Sequence, residues 1–252
     1  MSASLSRLFY GALNLVERRS AYAQGKGYGS ATVAQEVKVL AGFLREPPRL
    51  AVDIGGNVGE YTAELRKLGR DLDIVVFEPS QTNTGKLGQR FGGDPRIAIV
   101  PCALSDEAGA ATLFSDTPGS GLGSLTQRRL EERGIAFDTA EAVTTLRFED
   151  HWRGQLARRP LDLVKIDVEG HELAVLKGFG EAIDAVKVLQ FEFGGCNVDT
   201  RTFFRDFWHF FAERGFELHR ITPFGAHRIA RYKSREEYFS TTNYVAVHRG
   251  RA

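Results

Sequence analysis

From Leu50 onward, short apolar runs alternate with helical patterns, and this alternation restricts the possible folds more than any other feature. Strands that alternate with helices form a mostly parallel sheet with helices on both faces. Such a sheet binds ligands at the carboxyl ends of its strands, where the strand order reverses. Segments 111–114 and 143–148 are predicted to form an additional antiparallel pair beside the Gly/Ser-rich loop 117–124. The sheet itself is predicted to have seven strands, at residues 50–54, 73–77, 97–100, 161–166, 186–193, 216–221 and 244–248.

Two helical patterns precede the alternating part, at residues 4–19 and 31–44. We interpret residues 1–48 as a helical extension that packs as a cap on a domain formed by residues 49–252. Arginines stand beside the apolar stripe of the first helix. Weak peripheral contact with a membrane surface is therefore an alternative role for this helix.

The composition argues against several classes of protein. The 252 residues carry a net charge of +1, so the chain has no general attraction to polyanions and we expect no nucleic-acid partner. The two cysteines, Cys102 and Cys196, form no CxxC pair, which excludes a disulfide scaffold and a cysteine-rich zinc site. No run approaches the roughly 20 apolar residues that span a bilayer, and Arg7 and Asn14 interrupt any signal-peptide core. We therefore expect a cytoplasmic protein without a transmembrane segment.

The first motif, VDIGGNVG at residues 52–59, joins the first predicted strand to a helix. Glycines allow unusual backbone torsions and the close approach of a ligand, and the helix beyond them begins with free N–H groups. These features predict a cofactor site. Its candidate residues are Asp53, Gly55, Gly56, Asn57 and Gly59.

The second motif, FEPS at residues 77–80, ends the second strand. Glu78 follows Gly59 by 19 residues, the spacing at which nucleoside-binding α/β folds place a carboxylate for the ribose hydroxyls. The first motif reads D-x-G-x-N-x-G and departs from the G-x-G-x-x-G dinucleotide pattern. Its acid would be a poor neighbour for a pyrophosphate but suits S-adenosyl-L-methionine, which carries an ammonium group and a sulfonium. These charges favour that cofactor, with an NAD(P)-dependent oxidoreductase as the alternative.

The third segment, PCALSDE at residues 101–107, follows the third strand. It is placed to flank the adenine of a nucleoside held at Glu78, and Ser105 is the candidate cofactor residue. An ordinary polar loop is the alternative interpretation.

The fourth motif, LVKIDVEGHE at residues 163–172, brings three carboxylates and an imidazole to the end of the fourth strand. Such a cluster is unfavourable unless it binds something, although acids at a helix start also stabilise the helix dipole. We expect Asp167 to contact the cofactor. The candidate catalytic residues are His171, Asp167 and Glu169.

Together these motifs resemble the FkbM family of methyltransferases, over roughly residues 50–248. The resemblance implies a Rossmann-like class I methyltransferase fold that transfers a methyl group from S-adenosyl-L-methionine and releases S-adenosyl-L-homocysteine. It implies O-methylation of a saccharide or, alternatively, of a polyketide or other small-molecule hydroxyl. The matching segments are VDIGGNVGEYT (52–62), VVFEPS (75–80), ALSDEAGAATL (103–113) and VKIDVEGHELAVLKG (164–178).

The resemblance also assigns roles to individual residues. Glu78 is expected to hold the cofactor's ribose, and Asp53, Gly55, Asn57 and Gly59 are expected to line its amino-acid end. Asp167, Glu169 and Glu172 are expected near the reacting methyl group.

A sugar hydroxyl is a weak acid and needs a base as the new bond forms. His171 or Asp167 is the candidate base, with the other orienting it or the acceptor. An imidazole suits neutral pH, but the neighbouring acids are expected to raise the pKa of His171.

Two other features leave alternatives open. Asp167, Glu169 and Glu192 could ligate a divalent cation, but no dedicated spacing is evident and no metal site is predicted. The basic stretch between His219 and Arg235 is either a solvated face or a contact for a phosphate-bearing acceptor.

Overall fold

The structure is a computed structural model that describes residues 3–29 and 33–251. The helices are α1 (Ala3–Ala23), α2 (Val33–Ala41), α3 (Glu60–Arg66), α4 (Gln81–Phe91), α5 (Phe148–Gly154), α6 (Glu172–Gly178), α7 (Cys196–Thr200) and α8 (Phe204–Ala212). The strands are β1 (Leu50–Ile54), β2 (Asp73–Phe77), β3 (Ile97–Val100), β4 (Ala103–Leu104), β5 (Gly109–Ser115), β6 (Thr139–Leu146), β7 (Leu161–Ile166), β8 (Val186–Phe193), β9 (Phe216–Thr222), β10 (Gly225–Ile229) and β11 (Thr242–His248).

The main sheet has the strand order β10-β9-β11-β8-β7-β1-β2-β3. The five strands from β8 to β3 are parallel, whereas β11 runs antiparallel to both of its neighbours. Every residue of β1 and β7 is buried, because helices cover both faces of the sheet. The predicted α/β fold with a mostly parallel sheet is confirmed.

The predicted number of seven strands is wrong, because the main sheet has eight. The additional strand, β10, pairs only with β9 in the part of the chain that the structure describes. It lies in the basic stretch, and Ala226, His227 and Arg228 on it are exposed. An edge strand of this kind lacks the apolar pattern that identifies buried strands.

A second, three-stranded sheet has the order β4-β6-β5 and contains the predicted antiparallel pair. Ala111 of β5 pairs with Val143 of β6, and the loop between the two strands is long. The prediction that strand 143–148 includes Phe148 is wrong. Phe148 begins α5, where its fully buried ring stacks on Phe179.

The core forms two layers, one on each face of the main sheet. Val52 and Ile54 of β1 face the layer that contains α5, α6 and α8, whereas Ala51 faces α2, α3 and α4. This alternation follows from the two-residue period of a strand. Phe204, Phe207 and Phe211 of α8 are fully buried in the first layer.

The strand order reverses between β1 and β7. The chain proceeds from β1 outward through β2 to β3 and then returns to the other side of β1 as β7. A crevice opens at the carboxyl ends of the strands at such a switch point. The first, second and fourth sequence motifs all meet at this crevice.

The N-terminal extension has two parts that behave differently. Val37 and Leu40 of α2 are buried in the core against the sheet, and the segment before α2 is tied down by a bond from Gly27 N to Thr242 Oγ1 (3.1 Å). Residues 7–20 of α1 are all exposed, including Leu8 at 71% and Val16 at 65%. The expectation of a packed cap is therefore wrong for α1, which extends into solvent. Ala31, predicted to begin the second helix, lies outside the described residues.

No helix within residues 3–29 and 33–251 is both long and apolar enough to cross a bilayer.

Because the side chains of residues 7–20 make few contacts with the domain, α1 contributes little to its stability. We expect a shortened chain that begins at Ser20 to melt within about 2 °C of the full chain, the range of a surface change. A chain that begins at Gly42 is the contrast, because it loses the buried Val37 and Leu40. Scanning calorimetry measures both. A large loss in the first chain would show that α1 packs on the domain in solution.

Candidate active site

A cavity of about 210 Å³ lies at the switch point between β1 and β7, and we call it the switch-point cavity. The ends of β1, β2, β7 and β8 form its floor, and the β5–β6 loop and the segment around α2 form its walls. Its lining includes Gly29, Val33, Glu36, Gly55, Gly56, Asn57, Glu60, Tyr61, Glu78, Asn83, Cys102, Ala103, Leu104, Ser120, Gly121, Gly123, Lys165, Asp167, Glu169, His171, Glu192 and Asn243.

The glycine loop after β1 is fixed against the end of β2. Gly55 and Gly56 donate their backbone N–H groups to the carbonyl oxygen of Phe77, at 2.9 and 3.1 Å. Gly55 has φ +80°, and a Cβ atom there would lie 1.9 Å from the carbonyl oxygen of Asp167. Only glycine fits this position, because the loop passes directly over the end of β7.

Glu78 lies at the cavity with its carboxylate held in place. One oxygen accepts the backbone N–H of Asn57 (2.8 Å) and the other that of Ser80 (3.0 Å). Burial raises the pKa of Glu78, and these two amide bonds oppose the rise. Each carboxylate oxygen has a further lone pair, so Glu78 can also accept bonds from hydroxyls in the cavity.

Asp53 does not line the cavity. Its fully buried carboxylate lies beneath the glycine loop and accepts a bond from Thr62 Oγ1 (2.6 Å). Burial raises the pKa of Asp53, whereas nearby Lys165 and Thr62 lower it. Asp53 is therefore placed to support the loop from below.

Lys165, one residue before the end of β7, contacts both the glycine loop and the two carboxylates of Asp53 and Asp167. Its Nζ donates to the carbonyl oxygen of Gly55 (2.9 Å) and lies 3.4 Å from Asp53 Oδ1 and 3.5 Å from Asp167 Oδ2. Burial favours a low pKa for Lys165, but the carboxylates of Asp167 and Asp53 outweigh it and hold the pKa above its usual value. The sequence interpretation missed this residue, although a lysine inside a strand buried on both faces is itself a signal.

A buried polar chain continues from Lys165 to the N-terminal extension. The ammonium group lies 5.4 Å from the centre of the Tyr61 ring, and the Tyr61 hydroxyl donates to Gln190 (2.8 Å). Gln190 in turn donates to Glu36 of α2 (2.6 Å). Tyr61, Gln190 and Glu36 were not predicted, because they come from three distant segments.

The acids of the fourth motif separate into two groups. Glu172 turns inward, and one of its oxygens accepts the backbone N–H groups of Val168 (3.0 Å) and Gly170 (3.1 Å). Burial raises its pKa to about 7 against these bonds. Asp167, Glu169 and His171 line the cavity instead. The structure thus brings the three candidate catalytic residues together and leaves Glu172 to close the turn.

Glu169 is held by the loop that covers the cavity. Arg128, from the β5–β6 loop, forms an ion pair with its carboxylate, and Ser124 Oγ donates to its carbonyl oxygen (2.8 Å). Burial and the charge of Asp167 raise the pKa of Glu169, and Arg128 opposes them. Arg128 was also missed, because nothing local in the sequence distinguishes it from exposed arginines.

His171 lies at the start of α6, with Nε2 3.0 Å from Ser105 Oγ. Burial lowers the pKa of His171, and the nearby charge of Asp106 only partly offsets it. The expected rise in this pKa is therefore wrong, because burial outweighs the charge of Asp106. Ser105 is not among the cavity-lining residues described; it contacts His171 from behind, and residues 102–104 form the wall in its place.

Two features of the sequence analysis remain, the possible metal ligands and the basic stretch. Asp167, Glu169 and Glu192 all line the cavity. Within the described residues, no group of three or more His, Cys, Asp or Glu side chains could hold a metal ion. The basic stretch lies at the far edge of the sheet, where Arg220 pairs with Glu236 and Arg228 pairs with Glu217.

Comparison with known proteins identifies the family. The model of the methyltransferase FkbM domain matches residues 53–218, which include the glycine loop, Glu78 and the fourth motif. The chain belongs to the FkbM methyltransferase family. This membership confirms the resemblance and the enzyme class expected from the sequence, and it decides against the oxidoreductase alternative.

Several relatives of this FkbM methyltransferase are known. The 2-O-methyltransferase NoeI of Sinorhizobium fredii is 25% identical over 193 residues, which cover 72% of this chain and 77% of NoeI. Methyltransferase sdnD of Sordaria araneosa is 27% identical over 156 residues, covering 52% of this chain and 60% of sdnD. The crystal structure of methyltransferase FkbM from Methylobacillus flagellatus KT is 16% identical with a TM-score of 0.48 and covers 81% of this chain. This chain spans 45% of that crystallised chain.

Proposed function

We propose that this FkbM methyltransferase transfers a methyl group from S-adenosyl-L-methionine to a hydroxyl of a saccharide. The observation that carries the proposal is the switch-point cavity, where the glycine loop, Glu78 and the Asp167 cluster converge. S-adenosyl-L-methionine supplies a methyl group that is already activated on a positively charged sulfur. The chain's residues then have to bind this cofactor, place the hydroxyl and accept its proton.

The residues present fit this cofactor. The backbone at Gly55 leaves a cradle that a Cβ atom would fill, and Glu78 offers acceptors for two ribose hydroxyls. Residues 102–104 form a wall suited to flank the adenine. Asp167 adds a negative charge that suits a cationic ligand. Asp53 acts through Lys165, which holds the loop and Asp167 together.

His171 and Asp167 are the two candidates for the base, and the neutral form of the imidazole favours His171. Its lowered pKa keeps the imidazole neutral at pH 7, which is the form that can accept a proton. Asp167 is engaged with Lys165 and suits orientation of the acceptor. NoeI, a relative named as a 2-O-methyltransferase, supports methyl transfer to oxygen.

The first experiment compares the thermal stability of the protein with S-adenosylmethionine, S-adenosylhomocysteine, NAD and NADP. At a concentration 100 times the dissociation constant, a bound ligand stabilises the folded state by about 2.7 kcal/mol. We expect the two adenosyl-sulfur ligands alone to raise the melting temperature, by about 5–10 °C. Stabilisation by a nicotinamide dinucleotide alone would refute the proposal.

The role of Glu78 is tested by the substitution Glu78→Gln. The amide nitrogen of the new side chain cannot accept bonds, so we expect S-adenosylhomocysteine to bind about 10- to 100-fold more weakly by calorimetric titration. Glu107→Gln, which changes an exposed carboxylate, is the matched control and leaves the affinity unchanged. Equal affinity in both variants contradicts a ribose contact at Glu78.

The pH dependence of the reaction tests His171 as the base. We expect kcat/KM to rise with pH as the imidazole loses its proton, with a midpoint below the usual histidine value of about 6.5, because burial lowers the pKa. His171→Ala should remove this rise of kcat/KM with pH. Asp167→Asn should lower the rate but leave its pH dependence unchanged. Full turnover in both variants excludes both residues as the base.

A further inference from the structure

The switch-point cavity extends past the cofactor residues to the ends of β8 and β11, where a second group of polar side chains lies. Glu192 of β8 and Asn243 of β11 are directly opposite each other in the antiparallel register. Directly paired residues project from the same face of the sheet with their Cβ atoms about 5 Å apart. Both side chains line the cavity, so they form a side-by-side polar pair.

Asn243 presents its carboxamide at the cavity wall. The residue is 5% exposed, and no bond to its side chain is found within the described ranges of the chain. An amide that faces a cavity takes hydrogen-bond partners for its donors and its acceptor from water or from a ligand there. A ligand in the cavity that offers hydroxyl groups would satisfy them.

Glu192 is suited to a neutral partner. Burial raises its pKa well above the usual value, and the charges of Asp167 and Glu169 raise it further. This rise favours the protonated form of Glu192, which offers one O–H donor beside a carbonyl acceptor. With Glu192 in that form, the pair combines donors and acceptors without net charge, and both side chains line the cavity.

The charges around the cavity argue against a phosphate at this position. Lys165 is the only lysine or arginine among the described residues that line the cavity, and it is already engaged with Asp53, Asp167 and Gly55. A phosphate beside Glu192 would face Asp167 and Glu169 instead. An uncharged ligand with several hydroxyls avoids this repulsion.

Near this pair, part of the cavity wall comes from the N-terminal extension. Gly29 and Val33 line the cavity there. Gly29 lies so close to the start of β11 that a Cβ atom would be 2.6 Å from Thr241 Cγ2. This wall suits the C–H face of a sugar ring, while the Glu192–Asn243 pair suits its hydroxyl edge.

We propose that Glu192 and Asn243 form the acceptor subsite of the enzyme and bind two neighbouring hydroxyls of an uncharged sugar ring. This inference rests on the proposed function, because the subsite matters only if the same cavity binds the methyl donor. The inference predicts that the reacting end of the acceptor is a neutral polyol and carries no phosphate.

The experiment uses the protein saturated with S-adenosylhomocysteine and two sets of probes. The first is a panel of methyl glycosides of hexoses, 6-deoxyhexoses and N-acetylhexosamines, and the second is the corresponding sugar 1-phosphates. Binding is measured by saturation-transfer NMR titration. We expect at least one methyl glycoside to bind, and to bind more tightly than its 1-phosphate counterpart.

Variants then assign the binding to the pair. We expect Asn243→Ala and Glu192→Leu each to weaken glycoside binding at least tenfold, and Glu192→Gln, which keeps a neutral polar group, to weaken it about threefold. S-adenosylhomocysteine affinity should stay within twofold of the parent protein in all three. Asn14→Ala, on the exposed α1 helix, is the matched control and binds the glycoside normally.

Three results overturn the inference: no methyl glycoside binds, the sugar 1-phosphate binds more tightly, or Asn243→Ala and Glu192→Leu bind the glycoside like the control. Failure of the proposed function is distinguishable, because the parent protein would then fail to bind S-adenosylhomocysteine at all. Glu192→Gln is nearly isosteric, so it still tests the pair if Asn243→Ala does not fold.

Discussion

Replacing Gly55 with alanine is expected to abolish S-adenosylhomocysteine binding and to lower the melting temperature by about 6–12 °C. The alanine Cβ would lie 1.9 Å from the Asp167 carbonyl oxygen at a backbone φ of +80°, so the glycine loop has to move away from β7. Strain of this kind costs about 3 kcal/mol. The moved loop also loses its bond from Lys165, and the cofactor cradle with it.

The control for this prediction is Gly85→Ala. Gly85 is an exposed residue inside α4, and a Cβ atom there has nothing within 4 Å. Alanine in a helix interior is favoured over glycine by about 1 kcal/mol, so this variant should melt slightly higher and bind normally. Calorimetric titration and thermal melts measure both. Normal binding by Gly55→Ala would show that the loop is not the cofactor cradle.

Replacing Lys165 with methionine is expected to destabilise the protein by about 3–5 kcal/mol, the range for breaking a buried ion pair. Methionine is similar in length but removes the ammonium group beside the buried Asp53 carboxylate, so that charge loses its compensation. Lys187→Met on the neighbouring strand is the matched control. Lys187 pairs with Asp162 at 2.7 Å, but its side chain is 31% exposed and Asp162 keeps two backbone N–H bonds, so its loss should cost about 1 kcal/mol or less.

The effect of Lys165→Met should depend on pH in a defined direction. Without the lysine, burial raises the pKa of Asp53 in the folded state still further above its value in the unfolded chain. A carboxyl with a raised folded pKa favours folding at acid pH and loses that contribution as the pH rises through the folded value. The gap in stability between parent and variant should therefore be smaller at pH 5 than at pH 8 in urea titrations. A constant gap would show that Lys165 does not stabilise Asp53.

Much of the fold could be predicted because its signals are local. The strands of the parallel part are short apolar runs, since helices cover them on both sides, and β1, β2, β3, β7 and β8 were predicted at their observed bounds. The edge strand β10 is polar, so the same criterion could not detect it. The exposure of α1 was missed for the opposite reason. Its apolar stripe looks the same whether or not a partner covers it.

The residues of the candidate site also differ in how well the sequence predicts them. Those at strand ends could be predicted, whereas those brought together from distant segments could not. The positions of Glu78 and Asp167 followed from strand ends, because the carboxyl ends of parallel strands meet at one edge. Asp53 was predicted to line the cavity, but its position in the buried face of β1 places it beneath the loop. The buried polar side chains from Glu36 through Gln190 and Tyr61 to Lys165 come from segments distant in the sequence. No local sequence pattern therefore identifies them.

The position of β11 has a consequence for how the protein is made. This strand comes late in the chain but lies inside the sheet, between β8 and β9. A ribosome adds roughly 5–20 residues per second, so the edges of β8 and β9 wait several seconds for the partner that separates them. Open strand edges pair readily with other chains. The nascent polypeptide is therefore most exposed to aggregation between the synthesis of Phe193 and that of Thr242, and chaperones that bind nascent chains would act in that interval.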